Sequence, residues 1–87
     1  AIHIHTELHR VREDARVVIH NHPYYVCVLA ALGRLPELVH QTGSLFLDDM
    51  CLVEAYDGEI DTPSRAAELA ARIGGANLTL LANHGVI

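Results

Sequence analysis

Lysine is absent from the 87-residue chain, so all six of its basic side chains are arginines. Without a lysine, this segment cannot carry a reaction that proceeds through a Schiff base on a lysine side chain. The arginines stand at positions 10, 12, 16, 34, 65 and 72. They form no basic stripe, and the formal net charge is −5 with the histidines neutral. Both features argue against a nucleic-acid partner.

Cysteine is scarce, and long apolar runs are missing. Two cysteines, Cys27 and Cys51, are too few for a disulfide framework and are interpreted as reduced thiols, which favours a cytoplasmic setting. No apolar run reaches the length of a membrane span and no signal peptide is visible, so we expect no membrane partner. The chain also has neither a G-x-S-x-G nucleophile elbow nor a glycine-rich phosphate loop.

Apolar periodicity and turn residues predict alternating helices and strands. The predicted elements are a helix at 2–13, a strand at 17–22, helices at 24–33 and 35–43, one or two strands within 44–56, a helix at 62–73, and a strand, a turn at 83–85 and a second strand start within 77–87. This order is typical of an α/β domain with helices packed on a sheet. Because the chain starts within a predicted helix and stops within a predicted strand, we expect it to be a piece of a larger domain.

The segment "TPSRAAELAARIGG", residues 62–75, gives the clearest helix. Thr62 can cap its start, Pro63 suits its first turn, and Gly74 and Gly75 stop it. We expect an apolar stripe at helical spacing to face the sheet, and the charged side chains between its members to face water. The stripe comprises Ala66, Leu69, Ala70 and Ile73, and the charged side chains are those of Arg65, Glu68 and Arg72.

The stretch "VVIHNHPYY", residues 17–25, joins a β-branched apolar run to two histidines and a proline. In a strand, alternate side chains share a face, so His20 and His22 point the same way, about 6–7 Å apart along the strand, and Asn21 points to the other face. Two imidazoles on one rigid face can converge on one cation. Pro23 ends the predicted strand and can open a helix.

A third histidine stands just past the end of another predicted strand. His84 precedes Gly85, whose small size allows a sharp turn and leaves room beside the imidazole ring. If the two strand ends are neighbours in the sheet, His20, His22 and His84 meet at one point. Three nitrogen ligands with an open position are typical of a catalytic zinc site. The alternative is that each is a hydrogen-bonded structural residue, the usual role of a single histidine on a strand.

Other histidines and a tyrosine pair have less specific surroundings. His5 and His9 are four residues apart on a predicted helix, a spacing that can bind metal, but we expect one to pack under the sheet and the other to be solvated. His40 lies near the end of a short predicted helix, where the helix dipole favours a cation; that role and a functional one both stay open. We expect Tyr24 and Tyr25 to contribute core and rim packing.

The stretch "LHRVREDARVVIHNHPYY" and the later stretch "LTLLANHGVI" together resemble the class II aldolase/adducin family. The family pattern is a helix, an arginine–acid turn, an apolar strand ending in H-x-H-P, and a later apolar strand with N-H-G. In that family the histidines of both motifs are metal ligands. The resemblance therefore implies that His20, His22 and His84 bind a divalent metal, usually zinc, or another such as Mn²⁺.

The resemblance also implies a fold and an activity. The family fold is a three-layer α/β/α sandwich with a mainly antiparallel central sheet, of which residues 1–87 would be a partial domain, truncated at both ends. Members are often homotetramers with active sites at subunit interfaces. Family enzymes cleave sugar phosphates in carbohydrate catabolism, epimerise pentose phosphates or decarboxylate hydroxylated aromatic acids.

From this resemblance we expect a divalent-metal-dependent carbon–carbon lyase, either an aldolase or a decarboxylase-like enzyme. Its metal would chelate a small hydroxy-carbonyl or hydroxylated-acid substrate and stabilise an enediolate or carbanion. The H-x-H stretch together with His40 resembles the decarboxylase-like branch somewhat more than the sugar-phosphate branch.

The chain departs from the family pattern at the edges of this site. The catalytic glutamate, four residues before the helix histidine that matches His5, corresponds to Ala1, so either the glutamate is absent or the alignment slips and it lies upstream, as the phosphate-binding residues would. Where family aldolases often place a tyrosine from a neighbouring subunit, this chain has His40, which could protonate a carbanion or bind a carboxylate. The alternative is a non-catalytic adducin-like interaction module. Such modules tend to lose the ligand histidines, which are all present here, whereas Ala1 in place of glutamate favours this alternative.

Overall fold

The computed structural model describes residues 2–37, 39, 41–55 and 58–87, which form an α/β fold. Its helices are α1 (Ile2–Val11), α2 (Tyr24–Leu32) and α3 (Pro63–Ile73), and Gln41–Phe46 form a short 3-10 helix. Its strands are β1 (Met50–Val53), β2 (Leu78–Leu81) and β3 (Gly85–Val86). None of the described helices combines the length and the apolar character needed to cross a membrane.

A β1–α3–β2 unit forms the frame of the fold. β1 and β2 pair in parallel, with Met50 opposite Leu78, and α3 supplies the crossover that a parallel pair requires. The start of α3 is fixed by Thr62, whose hydroxyl accepts a hydrogen bond from the backbone N–H of Arg65 at 3.3 Å. Gly74 follows its last turn. The predicted helix at 62–73 is therefore confirmed together with its cap.

A tight turn after β2 returns the chain as β3. Leu81 pairs with Gly85 in the antiparallel β2–β3 ladder, and between them Asn83 has a φ of 58°, in the left-handed region that asparagine tolerates. On the far side of β3, Asn21 forms an isolated bridge with Val86. The strand, turn and second strand predicted within 77–87 are confirmed.

The core lies where α1 packs on α3 and α3 packs on β1. α1 contributes Ile4 and Leu8, which are one helical turn apart and 2% and 5% exposed. All four apolar residues of the predicted α3 stripe are buried, and the three charged residues between them are exposed, as predicted. The largest buried cluster comprises Ile4, Leu8, Val53, Leu69, Ala70, Ile73 and Leu81.

The prediction of a regular strand at 17–22 is wrong. Only Asn21 is paired, and the rest of the segment has no ladder partner among the described residues. Val17 and Ile19 are 77% and 66% exposed. β-Branched residues favour a strand only where a neighbouring strand and a packed face exist, and in the described structure only Asn21 of this segment has a bridge partner, Val86.

The helix predicted at 35–43 is also wrong. Of its described residues, 35–37 and 39 are not helical, and 41–43 belong to the 3-10 helix Gln41–Phe46. Gly33, with a φ of 64°, ends α2 in the left-handed conformation, and Pro36 disfavours a helical conformation at Leu35. Both effects delay the next helical turn. Within 44–56, where one or two strands were predicted, the structure has β1.

The tyrosine pair does not pack in the core or its rim, contrary to prediction. Tyr24 and Tyr25 are 76% and 80% exposed and contact each other edge to face, with ring centroids 5.1 Å apart. The buried face of α2 lies further along the helix, where Ala30 is fully buried. Two aromatic rings in the first turn therefore remain at the surface of the described structure.

The described sheet is mixed, with the strand order β1-β2-β3, one parallel pair and one antiparallel pair. The α/β class is confirmed. The three-layer sandwich and the mainly antiparallel sheet that the resemblance implies are not established by these three strands.

Leu69→Ala should lower the free energy of unfolding of the intact protein by about 2–4 kcal/mol, because it removes most of a side chain that is 6% exposed. Glu68→Ala, on the exposed face of the same helix, is the matched control and should change stability by less than about 0.5 kcal/mol. Chemical denaturation of both variants measures the difference. Equal stability would mean that α3 does not dock through this face.

Candidate metal centre

The backbone of Asn21 joins the H-x-H segment to the sheet. Its backbone N–H donates to the carbonyl of Val86, and its carbonyl accepts from the N–H of Val86, both at 3.1 Å. This pair of hydrogen bonds keeps the backbone extended, so the side chains of His20 and His22 lie on the same side of the chain. The predicted same-face arrangement is thus produced by a single bridge, without a regular strand.

Three imidazole rings meet beside this bridge. The ring centroids of His20 and His22 are 4.9 Å apart, those of His20 and His84 5.0 Å, and those of His22 and His84 4.9 Å. One ligand nitrogen from each ring lies within 4.8 Å of the other two. The structure therefore brings together the three histidines that the H-x-H and N-H-G motifs single out. Across the described ranges, no second group of three His, Cys, Asp or Glu side chains is close enough to share a metal ion.

Hydrogen bonds within the turn and hydrogen bonds to α2 stabilise the turn that carries His84. The backbone N–H of His84 donates to the carbonyl of Leu81 at 3.0 Å, which closes the turn. The backbone N–H of Asn83 donates to the carbonyl of Ala30 at 3.0 Å, and the thiol of Cys27 donates to the carbonyl of His84 at 3.6 Å. The position of the third imidazole therefore depends on the helix that follows the H-x-H segment.

Gly85 leaves the space that the His22 ring occupies. A Cβ atom at residue 85 would overlap Cδ2 of His22, and it would lie 2.6 Å from the carbonyl oxygen of Asn21 and 3.3 Å from Nε2 of His22. The sequence predicted that Gly85 leaves room beside the ring of His84. In the structure, the ring that occupies the space beside Gly85 is that of His22. Only glycine permits this close approach of the two segments.

A hydrogen bond determines which ring nitrogen of His20 can bind a metal ion. Nδ1 of His20 lies 2.9 Å from the carbonyl oxygen of Val86. Since a carbonyl only accepts, Nδ1 carries the proton, and Nε2 keeps its lone pair. Metal-ligating histidines are commonly oriented by such a bond from their second nitrogen.

Burial lowers the pKa of His20 and the pKa of His84 from the ordinary range. The Val86 carbonyl opposes this effect on the pKa of His20, whereas the nearby His22 and His5 lower it further. The neighbouring His20 and His22 act on the pKa of His84 in the same direction as burial. Both groups are therefore neutral at pH 7, the form in which an imidazole nitrogen binds a metal.

The other candidate residues do not join this cluster. His9 is exposed and donates from Nδ1 to a backbone carbonyl in the following turn at 2.8 Å, as expected for the solvated member of the pair. His5 is half-buried and near enough to His20 to affect its pKa. His40 and Ala1 lie outside the described residues, so the roles predicted for these positions stay predictions.

Two contacts at the site have no signal in the sequence. The carbonyl of Val86 orients His20, and the thiol of Cys27 contacts the carbonyl of His84. The first is a backbone group of an apolar residue, and the second joins residues 57 positions apart. Each becomes visible only when the chain is folded.

The donor set suits a divalent cation that accepts nitrogen ligands. Imidazole suits zinc, copper, iron and nickel, and three imidazoles with an open position are typical of catalytic zinc. A tetrahedral ion with bonds of 2.0–2.1 Å places its ligand nitrogens about 3.4 Å apart. Ligand nitrogens that already lie within 4.8 Å of one another can reach this separation by modest ring movements. The residues therefore fit a divalent metal, without selecting one by themselves.

Comparison with known proteins gives one family. The model of the class II aldolase and adducin N-terminal domain matches residues 1–87. The chain is 34% identical to a protein of Streptomyces roseochromogenus subsp. oscitans named 4-hydroxy-3-prenylphenylpyruvate oxygenase/4-hydroxy-3-prenylbenzoate synthase, over 100% of this chain and 31% of the relative. It is 33% identical to decarboxylase NovR of Streptomyces niveus, over 100% of this chain and 32% of the relative.

An adducin-related protein of Schizosaccharomyces pombe is 32% identical, over 97% of this chain and 25% of the relative. The chain thus spans about a third or less of the length of these curated relatives. No solved structure matches the chain significantly. Because the names of the relatives divide between enzymes and an adducin-related protein, the activity has to be argued from the site.

Gly85→Ala should weaken the binding of Zn²⁺ and Co²⁺ by at least about tenfold, because the added methyl group displaces the His22 ring and the Asn21 backbone. Gly75→Ala is the matched control, since a Cβ there meets nothing within 4 Å. Metal titrations followed by calorimetry measure both variants. Unchanged affinity in Gly85→Ala would show that the site does not need the close approach at residue 85.

Proposed function

The chain belongs to the class II aldolase/adducin family, and from this membership we propose that it carries the metal site of a divalent-metal-dependent carbon–carbon lyase. The observation that carries the proposal is the convergence of His20, His22 and His84, whose ligand atoms lie within 4.8 Å of one another. We propose zinc as the metal, because imidazole ligands suit zinc better than Mn²⁺, which prefers oxygen ligands.

The three histidines would hold the metal as neutral nitrogen ligands. His20 offers Nε2, because its Nδ1 donates to the Val86 carbonyl, and burial keeps His20 and His84 unprotonated at pH 7. When bound, the metal withdraws electron density from substrate oxygen atoms and so supplies the electron sink that carbon–carbon cleavage needs. The described segment has no lysine that could supply an iminium sink instead.

The three rings differ in exposure, and this difference indicates the side from which a substrate would reach the site. His20 and His84 are half-buried, whereas His22 is exposed. A small hydroxy-carbonyl or hydroxylated-acid substrate would therefore approach on the His22 side, where its oxygen atoms can replace water. The inner two imidazoles would fix the geometry of the site, because their backbone contacts are to β3 and α2.

Between the two lyase types, decarboxylation has the better support. The support is one relative at 33% identity that is named a decarboxylase; the relative at 34% identity is named both an oxygenase and a prenylbenzoate synthase. In such a reaction the bond to a carboxylate breaks, CO₂ leaves, and the electron pair stays on the remaining carbon until a proton is added. An aldolase, in which an aldehyde leaves in place of CO₂, is the alternative within the family.

The oxygenase in one relative's name makes dependence on O₂ an informative measurement. A lyase needs no oxidant, since cleavage and protonation balance without one. We therefore expect turnover to be the same with and without O₂. Strict dependence on O₂ would contradict the lyase proposal and point to an oxidative reaction at the same histidines.

An adducin-like interaction module is the second candidate. The adducin-related relative at 32% identity favours it. A module of this kind has no use for three converging imidazoles with an oriented tautomer. It predicts a protein that neither binds metal tightly nor turns over any substrate.

The proposal extends to the complete fold, the cellular location and the oligomeric state of the protein. The described chain would be the central part of a three-layer sandwich whose sheet is mainly antiparallel as a whole. The protein would act in the cytoplasm as a homotetramer. Family enzymes are often oligomeric, and an interface could supply groups that the described residues do not.

His22→Ala should weaken zinc binding by at least about a hundredfold and abolish turnover in the intact protein, because one of three ligands is lost. The fold should persist, since His22 is exposed and contributes little to the core. His3→Ala, a histidine on α1 outside the cluster, is the control and should keep both metal and activity. Metal content and steady-state release of CO₂ or aldehyde are measured with a hydroxylated aromatic acid and an aldol substrate. A metal-free His22→Ala variant with full turnover would end the metal-lyase proposal.

His40→Ala should leave metal content unchanged and lower turnover by roughly a hundredfold, if His40 supplies the proton or binds the substrate carboxylate. If His40 neither supplies the proton nor binds the carboxylate, turnover stays near that of the wild type. The same assays with the His9→Ala control, an exposed histidine on α1, distinguish the two outcomes.

A further inference from the structure

The structure shows α2 in contact with both histidine motifs. We propose that α2 is a positioning element of the metal site, and that the Cys27 thiol is its key contact, setting His84 relative to His22. The inference rests on the proposed metal site and names residues that are not ligands. Its consequence is that metal affinity depends on a thiol that never touches the metal.

The first contact is from the side chain of Cys27. Its Sγ donates to the backbone carbonyl of His84 at 3.6 Å, and both residues are half-buried. A hydrogen bond to a main-chain carbonyl restrains the peptide that follows it, here the peptide between His84 and Gly85. The bond therefore acts on the residue that carries the imidazole and on the glycine that makes room for His22.

The second contact is from the end of α2. The carbonyl of Ala30 accepts from the N–H of Asn83 at 3.0 Å and from the N–H of Gly33 at 3.1 Å. Ala30 is fully buried, so the helix lies directly against the turn. Cys27 and Ala30 are three residues apart and share a face of the helix, which gives the turn two attachment points one helical turn apart.

The covalent path makes these contacts relevant to the metal. His22 is followed by Pro23, and α2 begins at the next residue. One end of α2 is thus attached to the H-x-H motif, while its buried face holds the N-H-G motif. Because a helix resists changes in length and direction, it fixes the separation of the two motifs more firmly than a loop would.

The chain contains a matched control for the thiol. Cys51, on β1, is also half-buried, and its Sγ donates to the carbonyl of Arg72 at 3.7 Å. Both thiols are half-buried and both donate to a backbone carbonyl, at 3.6 and 3.7 Å, but Cys51 contacts α3 and not the histidine turn. A purely structural role predicts that the two cysteines behave alike.

The experiment compares four variants of the full-length protein with the wild type: Cys27→Val, Cys27→Ser, Cys51→Val and Cys51→Ser. Valine keeps the volume without the donor, and serine keeps a donor. We expect Cys27→Val to weaken Co²⁺ and Zn²⁺ binding by about tenfold, which is the lower end of the loss in affinity seen when a residue that contacts a metal ligand is replaced. The same variant should change the visible absorption of bound Co²⁺. Cys27→Ser should lie closer to the wild type, and neither Cys51 variant should change affinity or spectrum.

A measurement on the wild type covers the case in which a Cys27 variant fails to fold. Coupling is reciprocal, so a thiol bond that strengthens metal binding is itself strengthened by the metal. Saturating Zn²⁺ should slow the alkylation of Cys27 by iodoacetamide severalfold relative to that of Cys51. Mass spectrometry of the two peptides gives both rates in one sample.

The outcomes separate this inference from the proposed function. If the wild type binds Zn²⁺ tightly but Cys27→Val matches Cys51→Val in affinity and in the Co²⁺ spectrum, α2 does not position the site and the metal site stands. Equal slowing of both thiols by Zn²⁺ would likewise overturn the positioning role of α2. A wild type that binds neither metal overturns both proposals.

Discussion

The two hydrogen bonds between Asn21 and Val86 are the constraint on which the site depends. They join a segment with no other ladder partner among the described residues to the short strand β3, and so bring the H-x-H motif beside the N-H-G turn. The same Val86 carbonyl also orients the His20 ring.

The site is therefore built beside the core and not within it. The β1–α3–β2 unit and α1 bury the apolar cluster, whereas the three imidazoles lie on the β3 side and remain half-buried or exposed. This separation permits ligand substitutions that leave the fold intact. The relative positions of the three imidazoles then depend on a few small or hydrogen-bonding residues, among them Gly85, Cys27 and Ala30.

Electrostatics and packing point to the same use of the cluster. Three nearby imidazoles would repel one another if protonated, and burial already favours the neutral form of His20 and His84. Two neutral imidazoles, one of them with an oriented lone pair, suit a metal and give a pure interaction module no evident benefit.

The sequence by itself determined the features that rest on local rules. Thr62 and Pro63 predicted the start of α3 and Gly74 its end, and the apolar stripe predicted its buried face. The H-x-H and N-H-G motifs indicated the three histidines of the cluster. Tertiary structure decided the rest. Whether residues 17–22 form a strand depends on the pairing partners that the folded chain brings beside them, and whether Tyr24 and Tyr25 are buried depends on which face of α2 meets the sheet. The roles of the Val86 carbonyl and the Cys27 thiol depend on segments far apart in the chain, because a backbone carbonyl or a thiol acquires a partner only when folding brings one within hydrogen-bonding distance.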